Sequence, residues 1–189
     1  MIKELEKRNI KFINKVIILG AIIIFFLSAL FHFLYNITGR TVVAAIFFPV
    51  NESVFEHLKL ALYPTLIYWL ITFFIFKNNY KLRFSKWFTG MTFSIFVCML
   101  YILSQYYIIN YALNMSSLIL DILSIFIGLF LGQTLGCHIY NRCTESTGIL
   151  IFCIILVLLI VIFFANLTFY PPKLPLFLDN PSGTYGIPK

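Results

Sequence analysis

Five stretches of the chain run apolar with little polar interruption: Ile13–Tyr35, Phe55–Phe76, Phe88–Ile109, Leu118–Ile139 and Ile149–Phe169. Each approaches or exceeds the roughly 20 residues that an α-helix needs to cross the hydrocarbon core of a bilayer. Polar residues collect in short segments between these runs, which leaves no room for a separate soluble domain. The pattern predicts an all-α integral membrane protein, a bundle of about five transmembrane helices. It forms one helical domain over residues 1–169, followed by a Pro-rich tail over residues 170–189. Basic residues precede the first run as they do in a signal peptide. The run is too long for one, however, and no small-x-small cleavage site follows, so it reads as a retained signal anchor.

Composition supports the pattern. Of 189 residues, 61% are hydrophobic and 11% charged, against about 25% charged in a soluble domain. A core of this size needs a polar skin, and here lipid takes the place of water. The net charge of +7 does not indicate nucleic acid, because the basic residues form clusters beside apolar runs. Lys3, Lys7, Arg8, Lys11 and Lys15 precede the first run, Lys77, Lys81, Arg83 and Lys86 follow the second, and Arg142 follows the fourth. The opposite side receives Arg40, Lys59, Lys173 and Lys189. The positive-inside rule places the larger group in the cytoplasm, so a cell-membrane protein with a cytoplasmic N-terminus and an outside tail is expected. On this topology Cys98, Cys137, Cys143 and Cys153 lie within spans or inside, where no disulfide framework is expected.

The polar residues at the outer ends carry the candidate chemistry. In Pro49-Val-Asn-Glu-Ser-Val-Phe-Glu-His-Leu-Lys59, about 100° per helical residue puts Ser53, Glu56, His57 and Leu60 on one face. Glu52 lies one turn before Glu56, and Lys59 falls near both carboxylates. Ser53-x-x-Glu56 is a capping box, and an acid in a first turn is favoured by the helix dipole. Capping explains Ser53 and Glu56 but leaves Glu52, His57 and Lys59 unexplained. Glu52, Glu56 and His57, with His32 from the end of the first run, offer oxygen and nitrogen ligands for a divalent metal. Adjacent Glu56 and His57 point about 100° apart, which sets them against sharing one ion. Asp121, in the first turn of the fourth span, joins Ser124, Gly128, Gly132 and Gly136 in one stripe. The glycines form a structural small-residue face for close helix contact, which turns Asp121 toward the bundle. His138 stands at the far end.

The tail, Tyr170-Pro-Pro-Lys-Leu-Pro-Leu-Phe-Leu-Asp-Asn-Pro-Ser-Gly-Thr-Tyr-Gly-Ile-Pro-Lys189, cannot form a sixth span. Its apolar side chains predict that it folds back over the outer mouth as a lid, the alternative being a tail lying flat at the membrane interface.

The 49–59 motif, the tail and the His-x-x-Tyr of His32 and Tyr35 together resemble a family of small uncharacterised bacterial multi-pass membrane proteins. The resemblance covers the whole chain and brings no activity. A second resemblance, to membrane hydrolases like the alkaline ceramidases, rests on three histidines, Asp121 and Ser53. The His-x-x-x-His pair of those enzymes is missing, the spans are too few, and His138 is on the wrong side.

Three functions stay open. One is an enzyme acting on a lipid or lipid-linked substrate at the outer leaflet, with Glu52, Glu56, His57 and Asp121 as catalytic groups and a divalent metal as cofactor. The second is a non-enzymatic binding or accessory protein of the bilayer. The third is a small proton-coupled transporter, against which only Gln133 and His138 continue the polar path inward.

Overall fold

The computed structural model describes residues 2–115 and 117–187. Lys189, one of the basic residues in the topology argument, lies outside them. Among the described residues there are six α-helices: α1 (Ile2–Ile37), α2 (Val42–Phe47), α3 (Val54–Phe76), α4 (Phe84–Tyr107), α5 (Leu118–Arg142) and α6 (Thr147–Phe169). All but the short α2 are long and apolar enough to cross a membrane. A π-helical turn, Ile108–Ala112, extends α4. In lipid a helix must satisfy its own backbone, and the chain closes the helix ends with side chains where it can. Thr41 caps α2, Ser53 caps α3 and Ser146 caps α6 through their hydroxyl oxygens.

Helix α3 is the centre of the bundle. Fourteen of its 23 residues are buried, against four of 23 in α6, which leaves α6 as a peripheral helix. α4 and α5 form the most extensive helix pair, and α1 packs on both α5 and α3. The α4–α5 approach depends on glycine: a Cβ at Gly136 would stand 2.7 Å from the backbone oxygen of Gly90, and one at Gly132 would collide with that of Ser94. Gly128 faces Tyr101 and Cys98 of α4.

Two polar devices hold the apolar helices in register. Trp69 Nε1 donates to Gln133 Oε1 at 3.0 Å, and Gln133 Nε2 donates to Ser94 Oγ at 2.9 Å. Trp87 Nε1 donates to Trp69 O at 2.8 Å, so α3, α4 and α5 share one buried network. The second device repairs α3. Pro64 lacks an N–H, so the Leu60 carbonyl four residues earlier has no helical donor. Ser28 Oγ of α1 lies 2.7 Å from that oxygen and 2.7 Å from Ile24 O, supplying the missing proton from a neighbouring helix.

The tail packs on one end of the bundle. Phe177, at the end of a 3₁₀ turn (Pro175–Phe177), is buried with its ring 4.4 Å from that of Phe55 at the start of α3. Strands β1 (Leu178–Asp179) and β2 (Thr184–Tyr185) then pair antiparallel in a small hairpin. Asn51 Nδ2 donates to Gly186 O at 2.8 Å. Gly186 has φ +73° and Pro171 Cγ would lie 3.1 Å from an added Cβ, so both backbone and space favour glycine there.

Candidate metal centre at the tail end of the bundle

The segment Phe48–Ser53 between α2 and α3 is held from several sides. Ser53 N donates to Asn51 Oδ1 at 2.9 Å, and Glu52 N donates to Asp179 Oδ1 of the tail at 3.2 Å. Asp179 also accepts from Ser182 within the hairpin turn. With its backbone pinned in this way, Glu52 points its half-exposed carboxylate toward α1 and α3.

There it meets two histidines. Glu52 Oε2 is 3.4 Å from His32 Nε2 and 3.4 Å from His57 Nε2, and the two imidazole nitrogens are 3.1 Å apart. Among the described residues this is the group of histidine, cysteine and carboxylate side chains with metal-ligand spacing. His57 Nδ1 lies 2.8 Å from Ser53 O. A carbonyl only accepts, so His57 carries its proton on Nδ1, and in the neutral ring the Nε2 lone pair is directed at His32 and Glu52. Hydrogen bonds from His32, and from His57 once its ring is protonated on both nitrogens, hold the Glu52 carboxyl well below the usual carboxylate range.

The other residues singled out in the sequence separate from this group. Glu56 and His57 diverge, as successive helical residues must. Glu56 turns into the protein and is buried with Lys59, Oε2 to Nζ 2.6 Å. Its Oε2 also accepts from Val50 N at 3.1 Å and its Oε1 from Thr168 Oγ1 at 2.8 Å. Lys59 spends its remaining donors on Ala45 O at 2.7 Å and Phe48 O at 3.3 Å. This pair thereby ties α2, α3, α6 and the intervening segment together, and Lys59 does not bridge both carboxylates. Ser53 caps α3, with Glu56 N donating to its Oγ at 3.3 Å. His138 is exposed near the far end of α5.

Asp121 stands apart from the three ligands but shares their surroundings. A cavity of about 430 Å³ between α1, α3 and α5 is lined by His32, Glu52, His57 and Asp121 at one end and by Phe25, Ala29, Phe33, Leu60, Leu118, Ile122 and Ile125 elsewhere, with Ser28 at its wall. A second, of about 260 Å³, reaches from the same Glu52, His57 and Asp121 to Tyr106, Ser124 and the tail residues Asn180 and Pro181. His32 and the role of the tail in positioning Glu52 are the features a helical-wheel argument could rank only weakly, since neither is near α3 in sequence.

A family of unknown function matches residues 5–187, nearly the whole chain. The chain belongs to DUF6512. No curated protein and no solved structure matches it significantly. Membership of DUF6512 therefore agrees with an uncharacterised family and assigns no reaction, so the functional argument rests on the site.

Proposed function

We propose that this chain is a membrane-embedded metal enzyme whose His32, Glu52 and His57 hold one divalent transition metal, zinc by preference, at the outer face of the cell membrane. The observation that carries the reading is the triangle of ligand atoms, with sides 3.1, 3.4 and 3.4 Å. In a tetrahedral zinc site with bonds of about 2.0–2.1 Å, neighbouring ligand atoms stand roughly 3.3 Å apart. His32 Nε2, His57 Nε2 and Glu52 Oε2 would hold the ion, which would leave a fourth ligand position for water or substrate. Two histidines and one glutamate plus an open position is a donor set of catalytic rather than structural zinc. The His57 Nδ1–H bond to Ser53 O supplies the outer partner that orients a ligating imidazole.

Glu52 and His57 line both cavities and His32 lines the larger, an apolar cleft that would suit a lipid or lipid-linked substrate. Asp121, on the wall of both cavities, would act as acid and base. The basic-residue bias supports an outer location for this end and for the tail that covers it. Reporter fusions after Lys86 and after Ile187 test that orientation: the first should report cytoplasm and the second exterior, and the same side for both would refute it.

Metal content tests the site itself. Purified protein, stripped with chelator and reloaded with zinc, should hold about one ion per chain by mass spectrometry. His32→Ala and His57→Ala should lose it, while His138→Ala should keep it. Zinc that survives both histidine substitutions would overturn the reading.

A further inference from the structure

The two cavities share Glu52, His57 and Asp121 on their walls, and the rest of their linings differ in kind. The larger runs along α1 and α5, and its rim residues Phe33, Leu118 and Ile122 are exposed on the outside of the bundle, where a transmembrane helix faces lipid. Its polar residues, apart from Ser28, gather at the end with His32, Glu52, His57 and Asp121. The smaller offers Tyr106, Ser124 and Asn180 as hydrogen-bonding groups under the tail. Among the described residues, neither wall carries a lysine or arginine, and both carry the carboxylates of Glu52 and Asp121.

We infer that the substrate is an acyl lipid with an uncharged or cationic hydroxylated head, joined by a carboxylic ester or amide, and that the link is hydrolysed beside the residues that the two cavities share. This inference rests on the metal-enzyme reading above and adds the substrate class to it. The chain enters sideways from the bilayer into the cleft between α1 and α5. The head lies under the tail hairpin, within reach of Tyr106, Ser124 and Asn180. A phosphate head is disfavoured, because arginine or lysine commonly answers its charge, whereas this wall, although it includes Val54 and Leu118 at the starts of α3 and α5, presents two carboxylates and, among the described residues, no basic side chain. The volumes, about 430 and 260 Å³, fall near the range of small-molecule sites, roughly 300–1,000 Å³.

The hydrolysis consumes one water. Its oxygen bonds to the acyl carbonyl carbon while one of its protons passes to the Asp121 carboxylate. The carbon–oxygen or carbon–nitrogen bond of the link then breaks. The proton held by Asp121 goes to the leaving oxygen or nitrogen, which gives a fatty acid and the free alcohol or amine head. A bound divalent ion supplies acidity to the water and a charge to stabilise the carbonyl oxygen.

The test uses the zinc-loaded full chain in nanodiscs, with zinc content measured on every sample. Monopalmitoylglycerol and N-palmitoylethanolamine are the probes of the proposed class. Palmitoyl-lysophosphatidylcholine carries the same chain on a phosphate head, and p-nitrophenyl acetate lacks a long chain. Release of palmitate from at least one of the first two should exceed that from the lysophospholipid at least tenfold. Asp121→Asn should lower that release at least a hundredfold at unchanged zinc content. Ala29→Trp, which fills the cleft, should raise KM for the palmitoyl probe by a larger factor than KM for p-nitrophenyl acetate. Zinc at one per chain with no palmitate released, with the lysophospholipid preferred, or with full activity in Asp121→Asn would overturn the inference while leaving the metal site standing. Absence of zinc would instead remove the reading on which it rests.

Discussion

Replacing Glu56 by Gln separates two roles that this residue could hold, ligand and internal brace. The side chains of Lys59 and Glu56 are 0% and 3% exposed, so neither charge falls back on water. Gln keeps the volume and an acceptor for Val50 N or Thr168 Oγ1, but it removes the charge facing Lys59 Nζ. Breaking a buried pair from one side costs about 3–5 kcal/mol, because the other charge is left uncompensated. Lys59 retains Ala45 O and Phe48 O, so the expected loss lies near the lower end, about 3 kcal/mol. Lys59→Met should cost more, since it also strips a donor from those two carbonyls, at about 1–3 kcal/mol for each acceptor left unsatisfied. The double variant removes both charges and should fall short of the summed single losses by about 0.5–3 kcal/mol, the coupling of groups in direct contact. Equilibrium unfolding in mixed micelles, followed by the fluorescence of the buried Trp69 and Trp87, reads these differences. The folded fraction of Glu56→Gln should bind zinc as the parent protein does. A Glu56→Gln protein that is fully stable yet binds no metal would show that Glu56 is a ligand and that the bracing argument is wrong.

Three further outcomes follow from the geometry. Ser28→Ala should destabilise by about 1–3 kcal/mol, because the Leu60 carbonyl left without a donor by Pro64 then has no hydroxyl either; an unchanged unfolding curve would contradict this. Gly132→Leu should destabilise by at least about 1–3 kcal/mol through overpacking against the α4 backbone, whereas Leu131→Ala, on an exposed position, should change unfolding little. In metal-free protein, the lowered carboxyl of Glu52 favours its ionised form on folding. Its contribution is therefore complete above the ordinary carboxylate value of about 4.3 and is lost as pH falls below it toward the depressed folded value. Stability of the chelated parent measured from pH 6 down to pH 3 should fall more steeply than that of Glu52→Gln, and parallel acid limbs would rule the effect out.

Hydropathy and length along the chain suffice to set the solvent and the secondary structure. Five long apolar runs have no stable form in lipid other than helices, and the five long helices follow from length and hydropathy alone. Ser53 as the start of α3 was equally legible, because capping is a local event decided within one turn. The polar residues near the start of α3 were visible for the same reason, as groups too costly to place at a membrane helix end by chance. Their assignment was not. A helical wheel gives the angle between Glu56 and His57 but does not say which of them faces a neighbour and which faces the core. That depended on α6 bringing Thr168 to Glu56 and on α1 bringing His32 to His57, contacts separated by 112 and 25 residues. Glu52 precedes α3, where periodicity has no force, and its direction was set by a backbone bond to Asp179, 127 residues away. Local sequence specifies angle and hydropathy over a few turns. Which donors and acceptors meet across the bundle is decided only when the helices have packed, since each then has one set of neighbours within hydrogen-bond reach.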